Sequence, residues 1–152
     1  MIEKIKKQLL ELEQSVNTGT TTNENISKSS TYWHIDHSLL VINGIPQVLA
    51  NSNPADFNPQ FKWIKFIVMT FKKIPRGKAH APKQVLPEDN ITKEALLHRL
   101  QTALIALQKL DHLAPSCYFN HPVFGHLNVK QSIKFLWIHT EHHLKIIREI
   151  SK

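Results

Sequence analysis

The sequence is poor in cysteine: Cys117 is the single one among 152 residues. One cysteine excludes a disulfide framework within the chain and is compatible with a reducing compartment. No run of 18 apolar residues is present, which excludes a membrane-spanning helix. No signal peptide is recognised, because Met1-Ile2-Glu3-Lys4 opens directly into a helical pattern. We therefore expect a cytoplasmic protein.

Strand signals are also lacking, since no segment shows convincing alternation of apolar and polar residues and no hairpin turn is recognised. Apolar residues instead recur every three or four positions, as in the first segment at Ile2, Ile5, Leu9, Leu12 and Val16. A hydrophobic content of 41% suits one domain with a proper core. The sequence predicts a single all-α domain over residues 1–152, with four or five helices and long crossovers.

Acidic residues are outnumbered, with 12 Asp and Glu against 19 Lys and Arg, which gives a formal net charge of +7. This balance permits contact with phosphate or anionic lipid without establishing it. We interpret the basic residues as spread over a solvated surface, with the surroundings of an anionic substrate as an additional role. No nucleic-acid module is recognised, so no nucleic-acid partner is expected.

Capping residues locate the later helices. Ser30 or Thr31 can cap a second helix, Thr92 caps a leucine-rich helix, and residues 128–131 resemble a capping box that starts the last one. Pro46 predicts a kink or an end within the second helix. Three stretches without helical period are predicted as loops, and the last two are expected to border a functional site: 17–30, 78–90 and 115–125.

The stretch from Phe61 to Phe71 is strongly apolar and has lysines within and after it. One interpretation is a basic amphipathic helix that lies on a membrane. The other, which we favour, is a packed helix whose lysines reach out to water. On that interpretation no membrane partner is expected.

Histidine is abundant, with ten residues, and three of them lie in the short segment from Ile138 to Leu144. At about 100° per residue, His139 and His143 lie one turn apart on the same helix face. That face is predicted to be buried, where an unpaired imidazole is costly. A metal ion is one of the few partners that satisfies both rings at once, and hydrogen-bonded core histidines are the alternative.

His37 lies among apolar neighbours in the second helix and supplies a third imidazole. Three neutral imidazoles and one open position form a usual coordination sphere for a catalytic divalent metal ion. The pattern on the last helix is not a zincin motif, because Thr140 follows the first histidine. Glu141 points about 200° away from His139, so we assign no catalytic base.

Three segments occur together in the order of a known family: Trp33-His34-Ile35-Asp36-His37-Ser38-Leu39, His121-Pro122-Val123-Phe124-Gly125 and His139-Thr140-Glu141-His142-His143-Leu144. From about Ser30 onward the chain resembles the DinB/YfiT-like metalloenzyme superfamily, in a subfamily of undefined function. The resemblance implies an up-down-down-up four-helix bundle with one divalent metal ion. It also implies the ligands His37, His139 and His143. Zn, Ni and Fe stay open, because imidazole suits several metals.

The resemblance also implies a chemistry, since the superfamily includes enzymes similar to thiol-dependent transferases and isomerases. We expect a metal-dependent transferase or hydrolase that acts on a small-molecule substrate by activating water or a low-molecular-weight thiol. The alternative is a non-catalytic metal-binding protein for storage, sensing or structural support. The sequence does not decide the oligomeric state, and a homodimer is one of the states it allows.

Other polar residues near these motifs have weaker assignments. His34 is either a hydrogen-bonding partner of a ligand or a packed ring, and Asp36 is a candidate for orienting a ligand ring. His142 lies about 60° from His139 and is the less favoured ligand. His121 and His126 flank the Phe124-Gly125 turn, where they either approach the mouth of the site or, as we favour, serve the turn itself.

Overall fold

The computed structural model describes residues 1–77 and 81–152. Within those ranges the chain forms five α-helices: α1 (Ile2–Asn17), α2 (Thr31–Asn51), α3 (Trp63–Phe71), α4 (Lys93–Lys109) and α5 (Val129–Ile150). Two strands, β1 (Tyr118–His121) and β2 (Gly125–Asn128), form an antiparallel hairpin directly before α5. Residues 78–80 of the predicted 78–90 loop lie outside the described ranges.

The helix starts follow the capping predictions. The side chain of Ser30 accepts a hydrogen bond from the Trp33 N–H, and that of Thr92 accepts one from the Ala95 N–H. Asn128 and Gln131 bond reciprocally in the predicted capping box. These three starts are confirmed, whereas α2 does not end at Pro46 and continues to Asn51.

The core is a cluster of buried side chains supplied chiefly by α1, α2, α4 and α5. Both α1 and α2 pack against α4 and α5, and the residues between them include the fully buried Ile5, Leu39, Leu107 and Leu144. Asp36 of α2, also fully buried, pairs with Arg99 and fastens α2 to α4. This packing fixes α2 against α5, where the candidate site lies.

The prediction of an all-α up-down-down-up four-helix bundle is wrong. The fifth helix, α3, agrees with the helix predicted from Phe61 to Phe71 but not with a four-helix bundle, and the hairpin, in which Tyr118 pairs with Asn128 and His121 with Gly125, was not predicted. Gly125 adopts a φ of 68° at the turn, a left-handed conformation that costs glycine little. Each strand is four residues long and lacks alternating burial, so the sequence carries no two-residue period that predicts it.

α3 also departs from the predicted packed helix. Val68 is its buried residue, while Trp63, Phe66 and Phe71 are exposed. The helix packs against the core through Val68 and the partly buried Met69, while most of its apolar side chains point to solvent. The predicted packed helix is therefore correct for this one side of α3 and wrong for the rest of its apolar residues. Among the described residues, no helix has the length and apolar character needed to cross a bilayer.

Candidate metal centre

Three histidines meet where α2 packs against α5. One ring nitrogen from each of His37, His139 and His143 lies within 4.8 Å of the corresponding nitrogens of the other two. The ring centroids are 5.0 Å apart for His37 and His139, 4.8 Å for His37 and His143, and 4.6 Å for His139 and His143. These rings, hereafter the histidine cluster, form a nearly equilateral triangle around one point. That they bind a metal ion stays a prediction.

The backbone fixes the tautomer of His37. Its Nδ1 lies 2.7 Å from the carbonyl oxygen of Val85, which can only accept, so Nδ1 carries the proton and Nε2 a lone pair. This Nε2 lies 3.2 Å from Nε2 of His139. Two nitrogens bound at about 2.0–2.1 Å to one tetrahedral zinc ion are about 3.3–3.4 Å apart, so the spacing suits a shared ion.

A chain of hydrogen bonds leads outward from His143. Its Nδ1 lies 2.9 Å from Nδ1 of His34, and Nε2 of His34 lies 2.9 Å from Oγ of Ser27. With Nε2 of His143 kept as a lone pair for the cluster, its Nδ1–H donates to His34, whose Nε2–H donates to Ser27. In this arrangement His143 and His34 each carry one proton, and each of these two protons has an acceptor, whereas Nδ1 of His139 is buried without a hydrogen-bond partner. His34 is thus a hydrogen-bonding partner of a candidate ligand, the first of its two predicted roles.

Burial keeps these imidazoles neutral. It lowers the pKa of His139 and His143 well below the usual value, and the neighbouring histidines lower it further. Burial also lowers the pKa of His37, against the opposing effect of the hydrogen bond to Val85, and lowers that of His34 to about 4. Because a metal binds the neutral ring, the cluster offers lone pairs at neutral pH.

Aromatic rings and two further segments lie around the cluster. Trp33 stacks on His37 with centroids 5.1 Å apart and planes at 17°, and Phe135 lies 5.4 Å from His139. His121, at the end of β1 in the segment 115–125, lies 4.8 Å from Phe135, and the carbonyl oxygen of Val85 in the predicted 78–90 loop contacts His37 directly. Val85 therefore borders the histidine cluster, whereas the segment 115–125 reaches it through Phe135; that the two segments border a functional site stays a prediction. Val85 acts through its backbone carbonyl, for which a sequence has no signal.

Other candidates fall outside the cluster. The ring of His142 lies edge-on to His143 at 5.1 Å and is not one of the three converging rings. Asp36 pairs with Arg99, so the prediction that it orients a ligand ring is wrong. Glu141 accepts hydrogen bonds from Gln8 and Arg148, which agrees with its exclusion as a base.

A family model described as protein of unknown function (DUF1569) matches residues 2–150. This family is distinct from the DinB/YfiT-like superfamily, so the resemblance drawn from the three histidine-containing segments is wrong. Short histidine motifs at helical spacing reflect ligand geometry, and they identify a family poorly for that reason. No curated protein and no solved structure matches the chain.

Proposed function

We propose a metal-dependent function for this chain, which belongs to the family described as protein of unknown function (DUF1569). In this proposal His37, His139 and His143 hold one divalent ion, Zn, Ni or Fe. The supporting observation is the triangle of neutral imidazoles, two of which are oriented from outside by Val85 and His34. Converging buried lone pairs are costly, and a cation is the partner that uses all three.

We further propose that the protein is an enzyme of transferase or hydrolase type acting on a small molecule. An ion with imidazole ligands supplies Lewis acidity, which lowers the pKa of a water molecule or a low-molecular-weight thiol. Val85 and His34 hold the ligand rings in place, and Trp33 and Phe135 restrict access of water. Within the described residues no carboxylate or thiol joins the three histidines, which leaves a fourth tetrahedral position for the reacting group.

One observation favours a second candidate, a non-catalytic ion-binding protein for storage, sensing or structural support. His37 and His143 are only 5% and 7% exposed. Of two surface cavities, one is lined by residues that include Gln47 and Ser52, and the other by residues that include Asn58 and His121, whose ring lies 4.8 Å from Phe135. An ion held between two rings as deeply buried as those of His37 and His143 suits a closed site better than a catalytic one.

Cobalt(II) titration followed by visible absorption separates these candidates. We expect one tetrahedral cobalt ion per chain, with d–d bands that shift when 2-mercaptoethanol or azide is added, because an open position accepts an outside ligand. Bands that form but do not respond would favour the non-catalytic candidate over the enzyme. Failure of the wild-type protein to bind any of cobalt, zinc, nickel and iron(II) would overturn both. Elemental analysis of protein purified without an affinity tag then identifies the ion acquired in the cell.

A further inference from the structure

The excess of basic residues is concentrated in the segment of the sequence that contains α3. Residues 57–87 contain seven of the 19 Lys and Arg residues and none of the 12 Asp and Glu residues. The remaining 121 residues therefore carry 12 basic and 12 acidic side chains and no net charge. Twelve of the 19 basic residues are thus spread over the rest of the chain as predicted, but this one segment supplies the whole excess of basic over acidic residues.

The same segment exposes apolar side chains. Six of them are between 38% and 69% exposed and are hereafter the aromatic patch: Phe61, Trp63, Ile64, Phe66, Ile67 and Phe71. Trp63, Ile67 and Phe71 follow each other at four-residue spacing along one face of α3. The rings of Phe61, Trp63 and Phe66 contact one another at centroid distances of 5.1–6.3 Å. A contiguous exposed patch of this kind marks an interaction site.

Lysines border the aromatic patch. Lys62 precedes α3, Lys65 lies within it, and Lys72 and Lys73 follow it. Lys72 lies over the ring of Trp137 at 6.0 Å. The ion pairs found among the described residues involve none of these four lysines, so no neighbouring carboxylate neutralises them there. The partner of this surface must combine apolar material with negative charge.

We propose that the aromatic patch and its lysines bind the interfacial layer of an anionic phospholipid bilayer. Helices that lie in this layer carry Trp, Phe and aliphatic residues on one face and lysines at its border. Indole rings favour the headgroup region, and lysines are attracted to anionic headgroups. This proposal returns to the basic amphipathic helix on a membrane, which was the less favoured interpretation of the sequence.

Charge and chemistry disfavour two other occupants. A second copy of the chain, docked patch to patch, brings two positively charged segments together, which is repulsive. Single-stranded nucleic acid stacks its bases on aromatic rings, and that mode leaves Ile64 and Ile67 in water. A bilayer covers the aliphatic and aromatic side chains together. The patch contains no residue of the histidine cluster, so this proposal stands or falls independently of metal binding.

Vesicle co-sedimentation of the full chain tests the proposal. We expect binding to phosphatidylcholine vesicles that contain one third phosphatidylglycerol, little binding to phosphatidylcholine alone, and a loss of binding as salt is raised. Trp63→Ser, and separately the double variant Lys62→Glu/Lys73→Glu, should each lower the partition coefficient by about tenfold or more. Trp63 emission should shift to the blue on binding.

Matched controls separate a local effect from a general one. Ile105→Ser removes an apolar side chain of α4 that is 57% exposed, and Lys7→Glu/Lys130→Glu makes the same change in net charge at exposed positions elsewhere. Both controls should retain vesicle binding, and circular dichroism should show all variants folded. Equal losses in controls and patch variants would overturn the proposal.

Three further results would also overturn it. One is equal binding to neutral and anionic vesicles, or binding to neither. Another is tight oligonucleotide binding that needs the lysines but not Trp63, which would identify a nucleic-acid surface. The third is a dimer in analytical ultracentrifugation that Trp63→Ser dissociates, without vesicle binding by the wild-type protein.

Discussion

The histidine cluster and the aromatic patch depart in opposite directions from the usual distribution of side chains. At the cluster, imidazole rings are buried between α2 and α5; at the patch, aromatic and aliphatic side chains of α3 are in water. Each arrangement costs free energy when left alone, the first through unmet polar atoms and the second through exposed apolar surface. The comparison shows why we propose different partners for them, an ion inside the protein for the histidine cluster and a bilayer outside it for the aromatic patch.

The two regions also differ in how firmly they are held. The cluster lies on α2 and α5, the two longest helices of the described residues, and both helices contribute to the core. Hydrogen bonds to Val85 and His34 hold the rings of His37 and His143. α3 has nine residues and is anchored through Val68. Elements with few buried contacts open locally at low cost, so we expect the cluster to be preorganised and α3 to adapt to its partner.

The largest effect is expected from removing a cluster ring. His37→Ala, His139→Ala or His143→Ala should each weaken zinc binding by about 3 kcal/mol or more, which is more than 100-fold, because each ring supplies a major share of the binding free energy. Calorimetric titration measures it. His142→Ala is the matched control and should bind within about threefold of the wild-type protein, since its ring lies outside the cluster. Loss of binding in His142→Ala but not in His143→Ala would reverse the assignment on α5.

A slightly smaller effect concerns the pH dependence of the free energy of unfolding, to which the partly buried imidazole of His121 contributes. His121 accepts hydrogen bonds at Nδ1 from the Val123 and Phe124 N–H groups, and burial lowers its pKa from 6.5 to about 4. Between pH 6.5 and about 4, the unfolded chain therefore binds a proton at His121 and the folded chain does not. Stability is full above pH 6.5 and falls towards pH 4, by at most about 3 kcal/mol.

The variant His121→Asn isolates this titration. Its side-chain oxygen replaces the acceptor but cannot be protonated, so the metal-free variant should lose less stability than the wild-type protein between pH 7 and pH 5. Urea unfolding at the two pH values measures the difference. Identical losses in the two proteins would show that His121 does not contribute.

The third effect concerns the support behind the cluster. His34→Ala should weaken metal binding about 10–100-fold, because His143 loses the acceptor for its Nδ1–H. His34→Asn should recover part of the loss, since Asn presents an oxygen near the former Nδ1 position. Competition with a chelator measures both affinities. If Asn and Ala weaken binding equally, His34 supports packing rather than the orientation of His143.

The smallest effect is expected at the aromatic patch, where the folded protein alone gains little. Trp63→Ser or Phe71→Ser should change the free energy of unfolding by no more than about 0.5 kcal/mol. Val68→Ala, on the buried side of the same helix, should cost about 1 kcal/mol or more. Urea unfolding measures all three. A large loss in Trp63→Ser would mean that the patch stabilises the fold and is not reserved for a partner.

Local rules predicted the parts of the fold that depend on neighbouring residues. The caps at Ser30, Thr92 and Asn128 are set within one helical turn, so the sequence was sufficient for them. Each strand of the hairpin has only four residues and no alternating burial, so the sequence shows no two-residue period there, and the hairpin was not predicted. The spacing of apolar residues along α3 is the same whether the protein core or an outside partner covers them, so the exposure of these side chains could not be predicted from the sequence.

The candidate site was predictable in part. The spacing of His139 and His143 placed two rings on one face of α5, whereas the approach of His37 depends on how α2 packs against α5, and spacing does not encode it. His37 was proposed as the third imidazole because it lies among apolar neighbours in the second helix, and the family resemblance that supported it named the wrong family. The structure brings the three rings together, and metal binding by them stays a prediction.

The positions of the three rings along the chain have a consequence for the lifetime of the folded state. His139 and His143 are four residues apart, but 102 residues separate His37 from His139. In the denatured chain only the first pair can meet, within a single transient helical turn. An ion held by all three closes a loop of about 100 residues and acts as a removable crosslink between α2 and α5. If that contact forms late in folding, we expect ion binding chiefly to slow unfolding, so that a chelator shortens the half-life of the native state more than it changes the refolding rate.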